Sequence, residues 1–290
     1  MTHAAAPSLP QPATAPTEGT DIYAVIGNPI VQSKSPLIHG MFAQATGQDM
    51  AYTKIEGHDF AADVDAFRAR GGRGLNITAP FKLDAFAYAN ERSERAQLAG
   101  AANCMKFDGN RVMAENFDGV GLVRDVVHNL KKPMAGKRIL MLGAGGAARG
   151  ALLPFLAEKP ALLVIANRHA EAAQALAAIG NEAGGTVRAC TYSELEGQVF
   201  DIVFNATSAS LKSELPPVPA SVLGHCSLAY ELAYGKGLTP FLQLAHNAGA
   251  KTIADGVGML AEQAAEAFDW WRGVRPETAA VIAAITVPLV

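Results

Sequence analysis

The sequence predicts an α/β protein of two domains. Its 290 residues suffice for two domains of ordinary size. Half of them are apolar and 18% charged, with Gly and Ala abundant, which is the balance of a globular α/β chain. Between residues 138 and 166 a strand, a glycine turn, a helix and a second strand follow in succession, the pattern of a βαβ unit.

Residues 1–20, rich in Ala, Pro and Thr, lack the basic start and continuous apolar core of a secretory signal and are expected to form a mobile tail. Residues 22–27 form a compact apolar strand closed by Gly27, and Asn28-Pro29 begins a loop. Leu37, Met41, Phe42 and Ala45 then recur at helical spacing. Ser35 before Pro36 is a strong helix start, Ser as N-cap and Pro in the first turn, and Ser35 either serves only there or also touches a ligand. Ser33 is not needed as that cap. Two hydroxyls two residues apart near a helix start suit a carboxylate, which makes Ser33 the better ligand candidate.

Residues 74–78 read as a short buried strand that stops near Thr78, because Pro80 has no N–H to continue a ladder. Pro80 is pre-set for a first helical turn, so Lys82 should project from a helix start beside the strand end. The macrodipole slightly disfavours a lysine there, which suggests that a partner wants it. The candidate partner is Asp118, in the segment Glu115-Asn116-Phe117-Asp118-Gly119-Val120-Gly121, where a carboxylate either caps a helix or faces a cleft. Taken singly, a surface lysine and a capping aspartate explain both residues. Together in a cleft they make a proton-transfer pair.

After a charged, Pro-containing stretch at 131–137, residues 138–142 form a strand. Gly143, Gly145, Gly146, Ala147 and Ala148 supply a GxGxxA turn, Leu152, Leu153, Phe155 and Leu156 mark a helix, and 162–166 form the next strand. In this context the glycine pattern indicates a Rossmann-type dinucleotide-binding unit. An NAD site usually places Asp or Glu after the second strand, whereas this chain has Asn167-Arg168. Arg168 can pair with a 2′-phosphate, so NADP is favoured, with a solvated arginine at the start of the 170–178 helix as the alternative. Strands follow at 200–204 and 227–230. The first runs into Asn205-Ala206-Thr207-Ser208, where Asn205 and Thr207 either form a turn or reach a ligand. Towards the C-terminus, Met259, Leu260, Ala264, Ala267, Phe268 and Trp271 make the apolar face of a helix. Gln263 falls on or beside it and needs a backbone partner or a polar ligand.

The net charge of −3 argues against nucleic acid or an anionic membrane as partner and points to a small molecule. No apolar run approaches the ~20 residues that span a bilayer. Cys104, Cys190 and Cys226 form no close pair and the seven histidines are scattered, so neither a disulfide framework nor a metal site is expected. A reducing cytoplasm fits this usage.

The segments SKSP, LNITAPFK, AANC, NFDGVG, GAGGAARG, ANR, NATS, AYGKGLTPF and ADGVGMLAEQA, in that order, resemble the shikimate dehydrogenase family along nearly the whole chain after the tail. The resemblance implies a substrate-binding and catalytic domain from 21–120 and 256–290, with an NADP-binding Rossmann domain at 121–255. It implies that Ser33 and Ser35 bind a carboxylate and that Asn76, Thr78, Asn103 and Gln263 hydrogen-bond ring hydroxyls. Tyr234 lies in the substrate-side loop, Lys82 and Asp118 form the catalytic pair, and Gly256 lies near the nicotinamide. The implied reaction is reversible NADP-dependent reduction of 3-dehydroshikimate to shikimate. Quinate or a related ring acid, with NAD, is the alternative, and a monomer or homodimer is expected. Gln32, Cys104, Phe117 and Ser210 stand where the family commonly has His, Thr, Thr and Gly. All but Ser210 neighbour implied substrate contacts. In the cofactor loop, His169 replaces Thr and Ala172 takes a place often basic.

Overall fold

A computed structural model describes residues 19–289. The expected tail therefore lies outside the described residues except for Gly19 and Thr20. The hydroxyl of Thr20 donates to Asp49 Oδ1 at 3.2 Å.

Two six-stranded sheets organise the described residues. The first contains β1 (Asp21–Gly27), β2 (Met50–Glu56), β3 (Gly72–Ile77), β4 (Glu91–Arg92), β5 (Cys104–Asp108) and β6 (Arg111–Glu115), in the order β2-β1-β3-β5-β6-β4. The strands β2, β1 and β3 are parallel, and β5 runs antiparallel to both β3 and β6. Alternation along β1 sends Ala24 and Ile26 to one face, with Val64, Leu75 and Phe81. Tyr23 and Val25 go to the other, with Tyr52, Phe117 and Trp271. Both faces are covered, which is why β1 reads as an unbroken apolar run.

The second sheet contains β7 (Arg138–Leu142), β8 (Leu162–Ala166), β9 (Val187–Cys190), β10 (Ile202–Asn205), β11 (Leu228–Glu231) and β12 (Ile253–Asp255). All its pairings are parallel, in the order β12-β11-β10-β7-β8-β9. This is the doubly wound arrangement, and the strand order reverses between β7 and β10. The first sheet reverses between β1 and β3. Such switch points leave a crevice beyond the strand ends, and here the two crevices open into one cleft.

The helix Val257–Arg272 returns from the second sheet to the first. Ala261, Ala264 and Phe268 pack on Ile38 and Phe42 of the helix Ser35–Thr46, and Trp271 Nε1 donates to Met105 O at 3.0 Å. Its other face meets the helix Asp118–Arg124 so closely that a Cβ on Gly121 would lie 2.6 Å from Gln263 N. A π-helical turn, Asp125–Asn129, continues that helix. Asp125 accepts from Tyr230 Oη of β11 at 2.7 Å, and Asn129 Nδ2 donates to Glu262 Oε1 of the returning helix at 3.0 Å, tying the two sheets together.

Two local expectations change. The helix after β3 spans Lys82–Tyr88 with Phe81 as N-cap, so Pro80 precedes it instead of entering its first turn. The helix after β1 begins at Ser35, and its free N–H is satisfied by Ser33 Oγ at 3.3 Å. Ser33 therefore does take part in starting the helix: Pro36 offers no N–H, which leaves the amide of Ser35 as the donor near its hydroxyl.

Candidate active site

The shared cleft has a volume of about 490 Å³. All nine residues expected to act on substrate line it: Ser33 and Ser35 from the loop after β1, Asn76 and Thr78 from the end of β3, Lys82, Asn103, Asp118, Tyr234 and Gln263. The loops at the strand ends bring them together although they are spread over most of the chain.

Lys82 Nζ donates to Asp118 Oδ2 at 2.6 Å. The other carboxylate oxygen accepts from Asn103 Nδ2 at 2.7 Å. Asn103 is held in turn, since its Oδ1 accepts from Phe117 N at 2.9 Å and its Nδ2 also reaches Gln263 Oε1 at 3.2 Å. Gln263 Nε2 is satisfied by Leu260 O at 2.9 Å. Both carboxylate oxygens are thus engaged, and the ammonium retains donors for a ligand oxygen in the cleft. Tyr234 is 46% exposed, yet local desolvation and then the Asp118 charge push its phenol up; like an ordinary phenol it is a hydroxyl donor at neutral pH.

Asn76 is oriented from below. Tyr52 Oη donates to its Oδ1 at 2.6 Å, and its Nδ2 has no partner among the described residues, a buried donor suited to a ligand oxygen. Tyr52 was not readable as part of the site, because it reaches over β1 from a strand that the sequence pattern did not announce. Its ring stacks on His39 at 4.3 Å. Burial lowers the His39 pKa to about 3 against a weaker opposing effect of the Asn76 amide, so the imidazole is neutral. Its folded pKa lies below the ordinary 6.5, so protons prefer the unfolded chain in between and stability is lost as pH falls through that window. Urea unfolding of the parent should therefore show a stability slope of up to ~1.4 kcal/mol per pH unit over part of that range, and His39→Phe should flatten it. Equal slopes would assign the effect to other groups.

The glycine turn after β7 fits a dinucleotide. Gly143 has φ +99, which turns the chain sharply, and a Cβ there would sit 3.2 Å from Ala206 O. Above Gly145 and Gly146 a Cβ would meet nothing. This open space faces the start of the 12-residue helix Gly146–Ala157, whose N-terminus has no side-chain cap. Free amides at an uncapped helix start suit a pyrophosphate. Ala147 and Gly256 line the cleft, while Ala148 is buried in the first turn of that helix. A second concavity of about 290 Å³ holds Asn167, Arg168, His169, Tyr192 and Lys212. Thr207 and Ser208 line both spaces, so a long ligand can run from one to the other.

Asn205 departs from expectation. It is fully buried, its Nδ2 donates to Glu231 Oε2 at 2.9 Å, and its Oδ1 accepts from Thr207 N and Oγ1. Its amide shapes the loop and does not face the cleft, because the buried carboxylate beneath needs a donor. Of the unusual neighbours of the substrate contacts, only Gln32 lines the cleft. Cys104 and Phe117 are buried, with Phe117 against Trp270 at 5.8 Å. Among the described residues no cluster of potential metal ligands occurs and no helix is long and apolar enough to cross a membrane.

Comparison with known proteins supplies an independent line. The family model for the shikimate dehydrogenase substrate binding domain matches residues 25–105, that for shikimate / quinate 5-dehydrogenase matches 125–213, and that for the shikimate 5′-dehydrogenase C-terminal domain matches 256–286. A protein of Chromobacterium violaceum named shikimate dehydrogenase (NADP(+)) is 55% identical, over 89% of this chain and 95% of that one. The crystal structure of an Ael1 enzyme from Pseudomonas putida is 62% identical, with a TM-score of 0.90 over 93% of this chain and 100% of that one. Shikimate 5-dehydrogenase from Thermus thermophilus, in complex with NADP(H) and shikimate, is 28% identical, with a TM-score of 0.80 over 92% and 98% of the two chains.

Proposed function

The chain belongs to the shikimate dehydrogenase family, and from that premise we propose that it is an NADP-dependent shikimate dehydrogenase, interconverting 3-dehydroshikimate and shikimate in aromatic amino acid biosynthesis. The observation that carries this reading is the Lys82–Asp118 pair, 2.6 Å apart in a cleft that also adjoins the phosphate cradle. Residues 21–120 and 256–290 form the substrate-binding part and 121–255 the cofactor-binding part, an assignment supported by the two sheets. The cytoplasm suits an enzyme with three unpaired cysteines.

Ser33 and Ser35 hold the ring carboxylate with their hydroxyls, and the Tyr234 phenol adds a donor on the same wall. Asn76, Thr78, Asn103 and Gln263 address the ring oxygens. NADP, when bound, supplies the two-electron transfer at its nicotinamide, near Gly256. In the reducing direction the Lys82 ammonium gives a proton to the carbonyl oxygen as it becomes a hydroxyl, and in the oxidising direction the amine takes it back. Asp118 fixes Lys82 and offsets its charge, while Asn103 fixes Asp118. Orientation and protonation are the protein's contribution.

Initial rates with shikimate and with quinate, each with NADP and with NAD, test the assignment. The highest kcat/KM is expected for shikimate with NADP. A preference for quinate, or for NAD, would overturn it. Arg168→Asp should remove the attraction for the 2′-phosphate and offer an acceptor to the ribose of NAD, lowering the NADP to NAD ratio of kcat/KM at least roughly tenfold. An unchanged ratio would return Arg168 to the role of a solvated side chain.

A further inference from the structure

A 2′-phosphate carries close to two negative charges near neutral pH, more than one guanidinium neutralises. Arg168 stands two residues beyond β8 and faces the 290 Å³ concavity. The helix that follows it, Ala170–Glu182, offers no second cation in its first turn and places Glu171 there instead. The missing charge comes from elsewhere. Among the Lys and Arg side chains that line this concavity, the one besides Arg168 is Lys212, from the loop after β10.

That loop presents Lys212 on a held frame. Lys212 ends the short turn Ala209–Lys212, which is closed by Ser213 in the left-handed region at φ 56, its N–H bonded to Ala209 O and Ser210 O. The turn is anchored from beneath, where Ser210 Oγ donates to the buried carboxylate of Glu231, which also accepts from Asn205. Thr207, bonded to Asn205 through N and Oγ1, fixes the turn's other side. Ser210 and Asn205 thus acquire a purpose: they hold the backbone from which Lys212 reaches into the concavity.

The charges there are uncommitted. Among the described residues, neither Arg168 nor Lys212 enters an ion pair. Glu214 lines the same space and subtracts from the field, while His169 adds a further donor. Tyr192 lines the same space; burial raises its phenol, and the Arg168 charge opposes that shift.

We propose that Lys212 is the second cation of the 2′-phosphate subsite, so that two loops distant in sequence set the selectivity for NADP together. The inference rests on the NADP-dependent reading and names a residue that the glycine turn and the Asn167-Arg168 pair do not indicate. A lysine supplies a point charge where Arg168 supplies a planar fork, so the two engage different oxygens of one phosphate.

Binding of adenosine 2′,5′-bisphosphate and of adenosine 5′-monophosphate to the full chain, measured by calorimetry at low and high salt, tests this without reference to turnover. Lys212→Ala should weaken the bisphosphate roughly fivefold or more and leave the monophosphate unchanged, with a shallower salt dependence. Lys212→Arg should restore most of the loss. If Lys212→Ala binds both probes as the parent does while Arg168→Ala loses its preference for the bisphosphate, the proposal fails and the NADP reading stands. The proposal also fails if Lys212→Ala weakens both probes equally, since the effect would then not lie at the 2′ position. If the parent itself does not distinguish the two probes, both the proposal and the NADP reading fall.

Discussion

Lys82→Met should lower kcat by roughly 10²–10⁴-fold and change the KM for the ring acid far less. Methionine keeps most of the unbranched stem and removes only the ammonium, so the lining of the cleft is preserved. Lost with it are the charge 2.6 Å from Asp118 and the donor for the reacting oxygen. That oxygen gains charge as the reaction proceeds, so the missing proton is felt most in the transition state. Steady-state kinetics separate the cases. A KM increase with kcat intact would make Lys82 a binding residue.

Asp118→Asn should reduce kcat by a comparable factor. The amide oxygen can still accept from Asn103, but the amide nitrogen would meet the Lys82 ammonium donor to donor, which breaks the pair while keeping its shape. If the two residues act as one device, the Lys82→Met, Asp118→Asn double variant should lose little more than the worse of the singles. A loss equal to the product of the two single losses would show that they act independently.

Much of this site was legible because its residues sit at strand ends. Residues 139–142 and 162–166 are apolar runs buried on both faces, and β7, which adds the exposed Arg138 at its start, and β8 contain them. Lys82 could be placed at a helix start beyond a strand stop, whereas Asp118 stood open between a helix cap and a cleft until the resemblance to the family paired the two. Other parts depend on pairing between distant segments, which leaves no one-dimensional trace. In β2, Thr53 and Lys54 are consecutive exposed residues, so the strand lacks regular alternation, and the role of Tyr52 appears only once β2 lies beside β1. The hairpin of β5 and β6 did carry a signal, Asp108-Gly109-Asn110 between apolar segments, with Gly109 at φ +56. Asn205 looked like a ligand residue because its loop is polar. What claims it is Glu231, 26 residues away and buried beneath the loop.

The returning helix Val257–Arg272 has a consequence for how the molecule is made. It supplies Gln263 to the site and covers Tyr23, Val25 and Tyr52 with Ala267 and Trp271, so the first sheet is finished by residues that emerge from the ribosome after every strand of both sheets. The second sheet, continuous from 138 to 255, has all its strands available earlier and can close while synthesis continues. Until Trp271 arrives, one face of the first sheet stays open and its apolar side chains are available to chaperones or to other nascent chains. A chain truncated before the returning helix should therefore retain the cofactor-binding half yet become a client of the quality-control machinery.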